Sequence, residues 1–188
     1  YLTSHVERFR GSIYRHMGQV TEARDCYERA IESASAHAQL YPRIHALIYL
    51  ARIDNQLGQT ERGFSHLKQA LDLLHDHPDV FLEATCHNFY SELFHAEGQW
   101  SAALLSFQKS IDSHSNKSSL EHYFHSGARL LWQSGRFEMA KQYLEQIEIR
   151  SHSYLYRPGQ YWYTVWLIDF ADLYTAWEQP EQALFYTQ

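Results

Sequence analysis

Gly18, Gly58, Gly98 and Gly135 follow one another at intervals of 40, 40 and 37 residues, each in the same setting. Five positions later comes a small residue (Ala23, Gly63, Ala103, Ala140), and nine later a large apolar one (Tyr27, Leu67, Phe107, Leu144). Seven positions earlier stands another small residue: Gly11, Ala51, Ser91, Ala128. A fifth copy fits with Glu178 in the glycine slot, Ala171 before it and Ala183 after it. Self-similarity at a fixed period of this size marks a repeat array, whose units bury their apolar faces against their neighbours.

Each repeat reads as two helices joined at the glycine. In the second, helix A is predicted from about Tyr41 to Leu57, with Ala46, Leu47, Leu50, Ala51 and Ile53 at helical spacing. Gly58 then permits the left-handed conformation that ends a helix. Thr60 is the expected N-cap of helix B, which carries Phe64, Leu67, Ala70, Leu71 and Leu74 on one face. Pro42, Pro78 and Pro158 stand near the start of a predicted helix A, and Pro180 opens the last helix B; proline is tolerated in a first turn. Polar stretches 112–119 and 151–159 read as inter-repeat loops. No segment reads as a strand.

Composition narrows the function classes. Apolar residues make up 45% of the 188, enough for a core, so disorder is not expected. A net charge of −6 and a pI near 6.1 speak against a nucleic-acid surface. Cys26 and Cys86 fall within apolar helical patterns and read as buried, reduced thiols of a cytoplasmic chain. The longest apolar run, from Tyr161 to Ile168, stops at Asp169, short of the ~20 residues of a membrane span. No secretory signal pattern opens the sequence. Beginning without methionine and stopping partway through a repeat, it reads as a piece of a longer protein.

The pattern resembles the tetratricopeptide repeat, in which small residues at fixed positions let paired helices approach closely and a large residue fills the gap. Here the small set is the one above joined by Ala30 and Ala70, and Tyr14, Phe94, Leu131 and Tyr174 hold the large position four before the turn. The resemblance spans nearly the whole chain. It implies an all-α fold: one array forming a right-handed superhelical solenoid of antiparallel helix pairs, with repeats at about 1–40, 41–78, 79–118, 119–157 and 158–188. At about 40 residues the repeats exceed the usual ~34, as in bacterial regulatory and sensor proteins of this family. Glu178 in place of glycine and the missing proline after helix B depart from the family pattern.

No catalytic arrangement stands out: there is no Gly-x-Ser-x-Gly, phosphate-cradling loop or dinucleotide fingerprint. The chain therefore reads as non-catalytic, with no cofactor. His122 and His125 share a helix face, but the Cys or His-Glu-x-x-His partners of a zinc site are absent, so no metal site is assigned.

The family's geometry places the inner side of every helix A along a concave groove. Carried onto this sequence, that side comprises Arg8, Ser12 and Arg15; His45, Arg52 and Asn55; Asn88, Glu92 and His95; His122, His125, Arg129 and Trp132; Asp172 and Thr175. Guanidinium forks and side-chain amides suit a peptide backbone, a carboxylate or a small polar ligand. A groove-facing helix side is also polar simply because it is wet. The chain lacks the lysine and asparagine set with which the family clamps chaperone tails. The resemblance thus implies a module binding protein or peptide in the groove, or alternatively a ligand- or peptide-sensing arm of a larger signalling protein. Trp166, Leu173 and Trp177 fall on the face packing on the preceding repeat. Trp162, Tyr163 and their neighbours exceed the needs of that core and suit a contact patch, self-association included.

Overall fold

The computed structural model describes residues 2–113, 121–150 and 161–187, and within them the side chains apart from 121–124, 146–150 and 161–162. Among the described residues, the regular structure is entirely helical. The chain divides into two compact units, residues 1–113 and 114–188. The first holds α1 (Thr3–His16), α2 (Val20–Ala36), α3 (Leu40–Gln56), α4 (Thr60–Asp76), α5 (Val80–Ala96) and α6 (Trp100–Ser113). The second holds α7 (Glu121–Gln133), α8 (Phe137–Arg150), α9 (Tyr161–Ala176) and α10 (Pro180–Phe185). Within each unit consecutive helices pack on one another, and the first helices of successive repeats also touch: α1 on α3, α3 on α5, α7 on α9.

The small residues sit at the crossings. Ala23, Ala30, Ala51, Ala70, Ala103, Ala128 and Ala140 have no accessible surface. A Cβ at Gly11 would lie 2.9 Å from the Tyr27 ring, and one at Gly63 would lie 2.9 Å from Leu93 and 3.1 Å from the Ala51 carbonyl oxygen. The large residue nine after the turn fills the remaining space: Tyr27, Leu67 and Leu144 are fully buried and Phe107 nearly so. Helix α3 is buried on two sides. Ala46, Leu50 and Ile53 pack with Ala23, Tyr27 and Ala30 of α2. Ile44, Leu47, Ile48 and Ala51 pack with Leu67, Ala70 and Leu74 of α4 and with Leu82, Cys86, Phe89 and Leu93 of α5. Cys26 and Cys86 are free thiols inside this packing, and burial pushes Cys86 up to about 12.

Every helix-A turn closes in the same way. The residue after the turn donates its N–H to the carbonyl five back: Gln19 to Tyr14, Gln59 to Asp54, Gln99 to Phe94, Arg136 to Leu131, Gln179 to Tyr174, all at 2.8–2.9 Å. The turn residue itself bonds three back, completing a Schellman motif around a left-handed residue. Glu178 takes that conformation at φ 58°, and Ala38 closes α2 likewise at φ 52°.

One expectation about local structure is revised. Thr60 is the first residue of α4 rather than its cap; the cap position is Gln59, whose side chain makes no capping bond. The Schellman turn already draws Gln59 tightly to Asp54, and the Thr60 hydroxyl is spent on the Glu97 carboxylate of the next repeat. Asp79, not foreseen as a cap, caps α5 through Leu82 N–H at 3.0 Å. Pro42 and Pro180 lie in first turns as expected, whereas Pro158 and most of the two proposed loops fall outside the described residues.

Replacing Glu178 with glycine is expected to raise stability by about 1 kcal/mol, because a side chain in the left-handed region carries that penalty. Gly58→Ala, at φ 70° with open space around its Cβ, is expected to lower stability by a similar amount. Thermal unfolding of the two variants checks this; shifts of the same sign would contradict it.

Candidate functional site

In the first unit, α1, α3 and α5 bring their polar side chains onto a ladder of aromatic rings. His45 stacks on Tyr49 with centroids 4.5 Å apart, and Tyr49 meets the edge of Phe89 at 5.7 Å. The guanidinium of Arg8 lies 4.0 Å from the Phe9 ring centre and 5.6 Å from that of Tyr41. That of Arg15 lies 5.0 Å above Tyr49, and that of Arg52 5.2 Å above Phe89. Such cation–π seating fixes the arginines while leaving their N–H groups to other partners.

The polar contacts on this face are few. Arg8 Nη1 donates to His45 Nε2 at 3.3 Å. Arg52 Nε stands 3.8 Å from Glu92, whose carboxylate also accepts from Asn88 Nδ2 at 3.5 Å. Burial pushes the Glu92 carboxyl above its ordinary range, against the opposing charges of Arg52 and Arg15. Burial, joined by the charges of Arg8 and Arg15, lowers His45 to about 4, so its imidazole is neutral at neutral pH. Beneath the ladder, Tyr27 and Ser12 share a hydroxyl–hydroxyl bond of 3.1 Å. Asn55 is half-buried, and His95 rests edge-on against Trp100.

The second unit answers the same positions differently. Arg129 Nε and Nη2 both donate to Asp169 Oδ1, at 2.9 and 2.7 Å, and His125 bonds the other carboxylate oxygen. Arg129 stays half-exposed while Asp169 is fully buried. His125 and Trp132, expected along a groove, are buried, as are Arg8 and Asn88 in the first unit. The His122 side chain lies outside the described residues. The aromatic C-terminal end is largely core: Trp166 Nε1 donates to the Leu144 carbonyl oxygen, Trp177 stacks on Phe137, and Phe170 on Tyr186. Tyr163 lies against Trp166. Trp162 falls outside the described side chains.

Sequence reading missed the buried carboxylates. Asp54 has no accessible surface; Arg24 of α2 donates to one oxygen, and His66 of α4 lies 2.9 Å from the other. It stands four before the turn, where the other repeats carry Tyr14, Phe94, Leu131 and Tyr174, and that break in the pattern was the available signal. Burial raises the Asp54 pKa, but hydrogen bonds and charge from His66 and Arg24 outweigh it and hold it below the ordinary 3.8.

Among the described residues, no cluster of His, Cys, Asp or Glu is arranged to hold a metal ion, and no helix is long and apolar enough to cross a membrane. Two open cavities of the first unit, about 500 and 370 Å³, lie at the Gly58–Arg62 turn and beside His77–Asp79, the second lined on one side by Leu40, Tyr41 and Ile44 of α3.

Two family models, both described as tetratricopeptide repeat, match residues 2–74 and 123–147, together about half of the sequence. The chain belongs to the tetratricopeptide-repeat family. No curated protein matches it. Among solved structures, kinesin light chain TPR-like repeats from Podosopora anserina superpose with a TM-score of 0.73 at 19% identity, over 97% of this chain and 90% of that one. A Rap protein complexed with Competence and Sporulation Factor superposes with a TM-score of 0.75 at 12% identity, over 98% of this chain and 62% of that one. MamA follows at 0.59 and 14%, over 99% and 88%. At these identities the likeness shows the fold: a tetratricopeptide-like helical solenoid.

Asp54→Asn is expected to cost about 1–3 kcal/mol at pH 7, since it leaves Arg24 and His66 without their charged partner. A depressed folded-state pKa stabilises above the unfolded value and loses that contribution as pH falls through the folded one. The gap between the parent and Asp54→Asn is therefore expected to shrink below about pH 4. Denaturant unfolding at pH 7 and pH 3 measures it; an equal gap at both would contradict the assignment.

Proposed function

We propose that the chain is a non-catalytic protein- or peptide-interaction module whose first unit offers the side formed by α1, α3 and α5 to its partner. One observation carries this reading. Of the seven buried side-chain polar atoms without hydrogen-bond partners among the described residues, five lie on these three helices: Arg8 Nε, Arg15 Nε, Arg43 Nε, His45 Nδ1 and Asn88 Oδ1. Buried polar atoms are nearly always satisfied, so a surface that gathers several unsatisfied ones is suited to completion from outside. The aromatic ladder beneath adds rigid area of the kind found at binding hot spots. Arg52, Asn55 and His95 extend the same side and belong to the proposed surface. The free, buried thiols fit a reducing compartment such as the cytoplasm.

Two further elements belong to the proposal. The fold shared with a Rap protein complexed with Competence and Sporulation Factor favours a ligand-sensing regulatory arm as the second reading. Leu184 and Phe185, exposed on α10, are the residues of the C-terminal end suited to self-association.

Selection of binders from a random dodecapeptide library tests the first reading. Arg15→Ala and Arg52→Ala are expected to weaken selected peptides about tenfold or more each, in line with ~1.5–3 kcal/mol per charged hydrogen bond. Lys68→Ala and Gln69→Ala, on the exposed side of α4, are expected to change nothing. Peptides that lose affinity only with the α4 variants would place recognition elsewhere.

A further inference from the structure

We propose that Arg8, His45 and Arg15 form a seat for one anionic group, a carboxylate or a phosphate, carried by the ligand of the first unit. The inference rests on the interaction reading above and specifies its chemistry. Arg8 is 8% exposed, yet it makes no ion pair. Its neighbour Glu7 is occupied by Arg10 and Arg29, each at 2.9 Å. A buried charge without a counter-charge is costly, so the protein gains by accepting one.

The hydrogen-bonding inventory points the same way. A guanidinium only donates, so His45 Nε2 accepts from Arg8 Nη1, and a neutral imidazole then carries its proton on Nδ1. The unpartnered atoms at the seat are therefore Arg8 Nε–H, His45 Nδ1–H and Arg15 Nε–H: three donors. Donors beside two fixed cations match an anion and nothing neutral as well. Tyr41, 47% exposed, and half-buried Arg15 stand beside the seat. Glu92, a carboxylate of this face, bonds Asn88 and Arg52 and also feels the charge of Arg15.

The repeat register supplies an internal control. Ten residues before their turns stand Arg8 and His125, and nine before the turn of the following repeat stand Tyr49 and Asp169 respectively. In the second unit the chain provides its own anion, Asp169, to His125 and Arg129. In the first unit that position is an aromatic ring, and the anion is left to a ligand.

The test follows the imidazole nitrogens of the full 188-residue chain by NMR during titration at constant ionic strength. The titrants are acetylated hexaglutamate, inorganic phosphate and, as control, acetylated hexalysine. Saturable shifts of the His45 signals are expected with hexaglutamate, with phosphate or with both, together with a rise of about one unit in the His45 pKa as an anion joins it. A response to hexaglutamate alone assigns a polypeptide carboxylate; an equal response to phosphate assigns a phosphoryl group. Arg8→Gln is expected to weaken the response at least tenfold, and Arg8→Lys, which keeps the charge without the fork, to weaken it less. The parent titration stands even if a variant unfolds. A His45 signal unmoved by both anions, or shifted equally by hexalysine, overturns the seat, as does unchanged affinity in folded Arg8→Gln. If selected dodecapeptides still depend on Arg15 and Arg52 while the His45 signal ignores both anions, the interaction surface stands and only the seat fails.

Discussion

Everything in this protein depends on how closely its paired helices approach. At Gly63 even a methyl group would press on Leu93 and on the carbonyl oxygen of Ala51. At Gly11 the face of Tyr27 takes the place of the missing side chain. With backbones this near, one large residue per repeat fills the remaining space, and close packing of that kind punishes changes of a single carbon. The Schellman turns then end each helix A in the same way, because each closes on the same pair of carbonyl groups. Helices set in this way present equivalent positions of successive repeats to one another, and the site chemistry inherits that register.

The register explains why residues of unlike type behave alike. Six before the turn, Arg52 reaches the residue nine before the next turn, Phe89, and stacks on it. Arg129 makes the same reach and finds Asp169, forming a two-pronged ion pair instead. Arg52 thus has only the longer contact to Glu92 as an ion pair, whereas Arg129 is bound to a buried carboxylate of its own unit. One geometric relation yields a cation–π contact in one unit and an ion pair in the other.

Much of the architecture could be read from the sequence because its causes are local and repeated. A left-handed turn wants glycine, a close crossing wants alanine or glycine, and both recur in step. Helix ends followed within a residue or so, as in α3. The site was harder to read. The arginines stand out in the sequence, but their burial and pairing depend on residues about 40 positions away: His45 for Arg8, Phe89 for Arg52, Asp169 for Arg129. Helical periodicity places Asn88, His125 and Trp132 on a polar side, yet neighbouring helices bury them. Asp54 and Asp169 were visible only as interruptions, a carboxylate in a slot for a large apolar residue and one ending an apolar run. Glu178 showed that a shared hydrogen-bond pattern tolerates a residue that is not glycine.

The measurement that bears most directly on this account is the stability of Gly63→Ala. Alanine is a better helix former than glycine by about 1 kcal/mol, so on an open helix surface the change raises stability. Here the new methyl group meets Leu93 at 2.9 Å and the Ala51 carbonyl oxygen at 3.1 Å, and overpacking of this kind costs about 1–3 kcal/mol. Equilibrium unfolding is expected to show a net loss of stability with the helical content retained. A variant as stable as the parent or more so would contradict the claim that close helix approach at the small residues holds the array together.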